Sequence, residues 1–387
     1  MTIKELDNEY VASTYARFPL TLSTGKGSLV YDEEGKEYID LGTGIAVNTF
    51  GYSDKAWVEA VTEQLSLLQH TSNLYYSAPC AKLAEMLCVR TGMKKVFFSN
   101  SGAEANECAI KAARKYGEKF KGTDYTTIIT LKDSFHGRTL TTLAATGQEV
   151  FHKDFLPLTE GFVYAKANDL DDVKRLAEEN KCCAIMFEIV QGEGGVLPLK
   201  KDFLKGLETL AHEKDLLLIA DEVQCGNGRS GELYAYMNFG IVPDIVSTAK
   251  GLAGGLPLGA TLLGEKVKDV LGIGMHGSTF GGNPVCAAAA LNVLSRIDDN
   301  LLKDVKEKSD YIFNSLKNAK GILGVSGLGL MIGIETERPV GEIIAECREK
   351  GVLVIKAKNK LRLLPALNIE KELLEKAIKI IKDICAK

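Results

Sequence analysis

The sequence predicts an α/β protein, with a large, mainly parallel sheet covered by helices and a smaller α+β domain appended to it. Three observations point there. First, Leu216-Leu217-Leu218-Ile219-Ala220 is an unbroken apolar run, as expected for a central parallel strand buried on both faces. Second, the pattern of β-prone run, polar loop and helix-like stretch recurs along the chain, which is the signature of βα units in a parallel sheet. Third, the pattern changes after about Asp299 to short strands and amphipathic helices without that repeat. The expected organisation is therefore residues 46–298 as the large domain and 299–387 as the small one, with residues 1–45 joining the small domain.

Bulk properties narrow the class. The chain has 387 residues, 45% hydrophobic and 25% charged, as in an ordinary globular protein. A net charge of −4 argues against a nucleic-acid partner. No apolar run approaches membrane-spanning length, and the polar, acidic start Met1-Thr2-Ile3-Lys4-Glu5-Leu6-Asp7 does not read as a signal peptide. The nine cysteines are scattered, without Cys-x-x-Cys spacing, and read as reduced thiols of a cytoplasmic protein. No metal site is expected.

Taken in order, Gly27 to Leu41 reads as a hairpin closed at Gly35. Trp57 to Leu68 carries helical apolar spacing at Trp57, Val58, Val61, Leu65 and Leu68. The loop His70 to Tyr76 is polar and aromatic, and its tyrosines are expected to pack on the neighbouring helix. Val96-Phe97-Phe98 is a strand, and Ser99 to Asn106 leads into a helix with Ala105, Cys108, Ala109, Ala112, Ala113 and Tyr116 on its apolar face. A small glycine-bearing loop at a helix start offers free N–H groups and the positive end of the helix dipole, either a phosphate cradle or a simple serine cap. Thr126 to Leu131 is a strand followed by Phe135-His136-Gly137-Arg138, where an aromatic ring and a carboxylate-binding arginine flank the sheet end. Ala184 to Phe187 ends at Glu188, before Gln191-Gly192-Glu193-Gly194-Gly195. Gly277 to Asn283 opens an alanine-rich helix from Val285 to Leu294. Gly327 to Glu335 and Val352 to Ile355 read as strands, Val340 to Lys350 as a helix, and Lys371 to Ile384 as the closing helix.

Two strand ends carry the chemistry. Ile245-Val246-Ser247-Thr248 runs into Ala249-Lys250-Gly251, and the Leu216 run ends in Asp221-Glu222. Ligands of open parallel sheets sit beyond the carboxyl ends of the strands. A lysine there is desolvated, which lowers its pKa and makes its amine a better nucleophile toward carbonyls. Pyridoxal phosphate chemistry needs such a lysine to hold the cofactor covalently, and an aspartate against the pyridine nitrogen so that the ring can accept electrons.

Together these blocks resemble the class III pyridoxal-phosphate-dependent aminotransferases, from the Gly27 hairpin to the Arg362 strand, and most closely their acetylornithine branch. The finer likeness lies in Gly44-Ile45-Ala46-Val47, His70 to Tyr76, Phe135 to Arg138, Asp221 to Gly226 with Gly228-Arg229, and Gly277 to Asn283. The resemblance implies a fold-type I transferase. It implies that Lys250 carries the cofactor and moves the proton at the reacting carbon, and that Asp221 faces the ring nitrogen. Ser101, Gly102 and Ala103 would bind phosphate. Phe135 would stack on the ring with His136 beside it, and Val223 and Gln224 would line the other face. Thr279 would reach the phosphate in the partner subunit of a homodimer with shared sites, next to Ser278 at the substrate. Arg138 would bind the substrate carboxylate far from the reacting nitrogen, and Glu193 would pair with Arg362 until an α-carboxylate displaces it. Ile189, Gly51-Tyr52-Ser53-Asp54, Ala103, Ser230 and Gly251 depart from the family pattern.

The implied reaction takes the terminal amino group of N-acetylornithine to 2-oxoglutarate, giving N-acetylglutamate semialdehyde and glutamate, a step of arginine biosynthesis. Succinylornithine, ornithine and 4-aminobutyrate are alternative donors, because a pocket discriminates weakly between similar acyl groups. A dinucleotide-dependent dehydrogenase fails for want of a Gly-x-Gly-x-x-Gly between a first strand and a helix. A protein that binds the cofactor without turnover is disfavoured by the combination of Lys250, Asp221, Arg138 and Arg362.

Overall fold

The structure, a computed structural model, describes residues 1–387. Its centre is a seven-stranded sheet. In spatial order the strands are Lys95–Ser99, Gly259–Leu263, Ile245–Thr248, Leu217–Asp221, Cys182–Phe187, Thr127–Leu131 and Phe162–Ala165. All run parallel except Gly259–Leu263, which is antiparallel to both its neighbours. The antiparallel strand follows Lys250 by a short connection, too short for the helical crossover that a parallel partner needs. The central strands Cys182–Phe187, Leu217–Asp221 and Ile245–Thr248 are buried throughout, as their apolar runs predict. The helix Gly102–Phe120 lies on one face, burying Ala105, Cys108, Ala109, Ala112, Ala113 and Tyr116. The other face is covered by a larger core that includes Leu204, Leu207, Val293 and Leu294. Since the parallel strands share one direction, their carboxyl ends, and the loops that follow them, gather along one edge.

The hairpin Leu29–Asp32 and Glu37–Asp40 gains a strand on each side. Leu22–Lys26 pairs with the first, and Val352–Leu353 runs parallel to the second, with Ile39 opposite Val352. A third sheet contains Ile322–Leu328, Met331–Thr336, Lys360–Leu363 and Ile355–Ala357, in that order. Both four-stranded sheets share a core with the helices Asp299–Leu316, Val340–Glu349 and Lys371–Cys385.

Several elements differ from the sequence reading. Gly327 to Glu335 is a tight hairpin rather than one strand. Gly329 sits at φ +58°, and a Cβ there would lie 2.2 Å from the Arg229 carbonyl oxygen, so the chain reverses where only glycine fits. Val352 to Ile355 is two strands in different sheets, because Leu353 pairs with Asp40 while Ile355 pairs with Arg362. The helix Lys55–Leu67 forms with Trp57 and Val61 packed against the large core, but Val58, Leu65, Leu67 and Leu68 are exposed. Its start is fixed by Asp54, which accepts from Trp57 N at 3.0 Å and pairs with Arg296 at 2.6 Å. Tyr75 and Tyr76 do not pack on a neighbouring helix; they are 73% and 107% exposed. The helices Ala78–Thr91, Leu170–Glu179, Lys201–Lys214 and Asp299–Leu316 had no counterpart in the sequence reading. No helix is long and apolar enough to cross a membrane.

One segment has unusual backbone. Thr43, Gly44, Ile45 and Ala46 all have φ between +46° and +66°, a left-handed turn costing non-glycine residues roughly 1–2 kcal/mol each. It persists because its surroundings pin it. Asp40 accepts from Gly42 N and Thr43 N, Tyr52 donates to the same carboxylate, and Thr43 Oγ1 donates to Leu364 O at 2.6 Å.

Candidate active site

The strands Leu217–Asp221 and Ile245–Thr248 are neighbours with Asp221 opposite Ser247, so Asp221 and Lys250 emerge side by side at the sheet edge. Lys250 opens a single 3-10 turn with φ +47°. Its amine takes part in no hydrogen bond or ion pair. Burial lowers its pKa below the usual lysine range; Glu193 opposes this and Arg362 adds to it. The neutral amine is therefore accessible at lower pH than for a surface lysine. The loop behind it is anchored by Thr49 Oγ1 donating to Gly251 O at 2.7 Å, and by Asn227 donating to Ala249 O at 3.0 Å.

Asp221 is buried and thoroughly oriented. Its Oδ2 lies 2.8 Å from Asn106 Nδ2 and 2.8 Å from His136 Nδ1, and its Oδ1 accepts from Val223 N at 3.0 Å. Asn106 also donates to His136 O. The helix Gly102–Phe120 thus supplies one arm of the support and the loop after Thr127–Leu131 the other.

The same helix points its N-terminus at this edge. Ser101 caps it through Glu104 N at 3.2 Å. The amides of Gly102 and Ala103 precede the first intrahelical bond and take no acceptor from elsewhere in the chain. At Gly102 a Cβ would meet the Val223 side chain at 2.6 Å, so the loop after Asp221 and the helix start pack as one wall.

Phe135 lies edge-on to Phe151, with centroids 5.7 Å apart. Arg138 is exposed, its guanidinium carbon 4.3 Å from the Phe151 centroid, and no acceptor within the chain engages it. Arg362 is the opposite case. It is 2% exposed, donating from Nη1 to Glu193 Oε1 at 2.5 Å and to Gln224 Oε1 at 3.0 Å, and from Nη2 to Lys356 O at 3.3 Å. Burial pushes Glu193 up, but the charge and hydrogen bond of Arg362, with Lys250 nearby, more than offset it and hold its carboxyl below the usual range. Ser278 Oγ accepts from Asn100 Nδ2 at 3.1 Å and Gly281 N at 3.0 Å, whereas Thr279 is exposed and unpaired.

The structure thus brings Lys250, Asp221, His136, Val223, Gln224, Glu193 and Arg362 together, with Ser101, Gly102 and Ala103 at the adjoining helix start. Thr279 is exposed, next to the exposed Phe280. Two supporting residues escaped the sequence reading. Asn106 follows the apolar position Ala105, and its polarity beside the buried helix face was the available signal. Glu188 was visible only as the end of a strand. It is buried, accepting from Phe135 N at 2.9 Å and Gly192 N at 3.2 Å. Burial and the nearby Asp221 raise its pKa, with His136 opposing. No group of three or more His, Cys, Asp or Glu side chains is arranged to hold a metal ion.

An unpaired amine at a strand end, an oriented buried carboxylate on the next strand, free amides at a helix start and a flanking aromatic ring are what pyridoxal phosphate requires: an attachment point, a partner for the ring nitrogen, a phosphate seat and a stacking face. The residues fit that group. The chain belongs to the class III aminotransferases, whose family description, Aminotransferase class-III, it matches over residues 10–385. It is 49% identical to an acetylornithine aminotransferase of Haemophilus ducreyi, across 99% of this chain and 98% of that protein. It is 44% identical to a succinylornithine transaminase of Citrobacter koseri, across 95% and 93%. Among solved structures, the ornithine aminotransferase of Toxoplasma gondii superposes with a TM-score of 0.95 at 29% identity, covering 99% of this chain and 94% of that one. An N-acetylornithine aminotransferase of Stenotrophomonas maltophilia gives 0.86 at 34%, covering 99% and 98%.

Proposed function

We propose that the chain transfers the terminal amino group of N-acetylornithine to 2-oxoglutarate, in arginine biosynthesis, using pyridoxal phosphate. The observation that carries this reading is the contrast between two arginines. Arg138 is open, ready for a carboxylate common to both substrates, while Arg362 is buried and already neutralised by Glu193. A site that must admit an uncharged chain in one half-reaction and an α-carboxylate in the other needs one arginine of each kind. The full-length likeness to acetylornithine aminotransferases supports the same donor.

Pyridoxal phosphate, when bound, supplies the aldehyde that takes up the amino group and a ring that accepts the electrons of the broken C–H bond. The protein's own residues do the rest. Lys250 Nζ would hold the cofactor, and its lowered pKa suits it to take and return the proton at the reacting carbon. Asp221, oriented by Asn106 and His136, would hold the ring nitrogen. Gly102 and Ala103 amides with Ser101 would seat the phosphate, and Phe135 and Val223 would flank the ring. Glu193 screens Arg362 until glutamate arrives.

The working unit in this reading is a homodimer. Exposed Leu65, Leu67, Leu74, Tyr75, Tyr76 and Phe280 support it, since a monomer rarely leaves so much large apolar surface open. So does the unpaired Thr279, available to a partner's phosphate seat. The test is a donor panel with 2-oxoglutarate as acceptor. N-acetylornithine should give the highest kcat/KM. A higher value for succinylornithine, ornithine or 4-aminobutyrate would reassign the donor and leave the reaction class intact.

A further inference from the structure

We propose that Glu188 is a positioning residue whose single carboxylate ties the ring-stacking loop to the loop that carries Glu193. The geometry points to this directly. Oε1 accepts from Phe135 N at 2.9 Å and Oε2 from Gly192 N at 3.2 Å. Phe135 heads the segment that continues to His136 and Arg138; Gly192 immediately precedes Glu193. The two loops follow different strands, Thr127–Leu131 and Cys182–Phe187, which are neighbours in the sheet. Glu188 is 5% exposed, so water does not compete for these amides, and losing either bond would leave a buried N–H without an acceptor.

A buried carboxylate is a poor choice for simple packing, because desolvation penalises it. Here it spans two backbone donors that would otherwise be stranded. Glu193 has to leave Arg362 when an α-carboxylate binds. Tying Gly192 to the Phe135 loop confines that movement to the Glu193 side chain and keeps the loop backbone, and with it the stacking ring and Arg138, in place. The inference rests on the switching role proposed for Glu193.

The test uses the cofactor-loaded enzyme with Glu188→Gln and Glu188→Asp. Glutamine has one carbonyl acceptor for two amides. Aspartate keeps both carboxyl oxygens but is one methylene too short to reach both amides. Hydrogen–deuterium exchange is measured in peptides covering 133–138 and 189–195. In each variant at least one of the two segments should exchange about tenfold faster or more, the effect of losing the acceptor of a buried amide. The ratio of half-reaction efficiencies, glutamate over N-acetylornithine, should rise, because a loosened Glu193 leaves Arg362 more readily. Loss of thermal stability alone would not move that ratio. Unchanged exchange in both segments of both variants overturns the proposal. So does faster exchange with an unchanged ratio, provided that Glu193→Ala shifts the ratio under the same conditions. If Glu193→Ala does not shift it, the switching role itself fails, and the donor panel on the wild-type enzyme reports separately on the substrate.

Discussion

Removing Glu193 should change which substrate the enzyme prefers, by an amount that the Arg362 environment sets. In the wild type, glutamate must displace Glu193 from Arg362, breaking contacts of 2.5 and 3.4 Å to a guanidinium that is 2% exposed. N-acetylornithine displaces nothing. Close desolvated charge pairs couple by about 1.5–7 kcal/mol. Two features place this pair near the low end. The Glu193 side chain is 29% exposed and regains water when it swings out, and Gln224 Oε1 and Lys356 O remain on Arg362. At about 2 kcal/mol, Glu193→Ala should raise the efficiency ratio of glutamate over N-acetylornithine by roughly 30-fold. Single-turnover absorbance of the cofactor follows each half-reaction separately. A ratio that stays the same, or moves toward N-acetylornithine, would refute the reasoning and leave Glu193 a loop acid without a role in substrate exchange.

Lys250→Ala should abolish multiple turnover while cofactor is still retained through the phosphate seat; normal steady-state rates in the purified variant would remove Lys250 from the chemistry. Arg138→Ala should lower kcat/KM for both N-acetylornithine and 2-oxoglutarate, by roughly 2–5 kcal/mol in transition-state stabilisation; a loss confined to one substrate would refute the shared-carboxylate role. Glu222 is fully buried, and desolvation pushes its pKa up from 4.5 to about 7 despite hydrogen bonds from Ala235 N and Tyr236 N. The folded state then holds a proton that the unfolded state has lost, so this group's contribution to stability is complete below pH 4.5 and falls as pH rises to about 7. Glu222→Gln should flatten the fall in Tm across that window, and an unchanged slope by calorimetry would contradict it.

Phe162–Ala165 and Gly259–Leu263 are strands that the sequence reading does not mark, but the central strands share one pattern: a β-prone run, buried throughout, closed by a polar residue. Leu216–Ala220 before Asp221 and Ile245–Thr248 before Lys250 are of this kind, and the reactive pair could be read off the chain. Alternation misleads where the backbone reverses within a continuing apolar pattern, as at Gly329, or where a run such as Val352–Ile355 serves two sheets in turn. The face of Lys55–Leu67 reads as core because periodicity reports that a surface is to be covered and not by what. Asn106 and Glu188 were opaque for another reason. Asn106 lies 115 residues from Asp221 and Glu188 lies 53 from Phe135, so their roles exist only once the sheet has brought separate loops together.

The left-handed turn at Thr43–Ala46 bears on how this enzyme would respond to selection for heat resistance. Glycine at Ile45 would relieve roughly 1–2 kcal/mol of backbone strain, lose roughly 0.5–1 kcal/mol to the greater freedom of the unfolded chain, and give up about 1 kcal/mol from a side chain more than half covered, so the terms nearly cancel. Ile45 is 41% exposed, lining a groove of about 540 Å³ beside Tyr15 and Ile355. Libraries screened for thermostability should therefore tolerate glycine at this codon with little change in Tm.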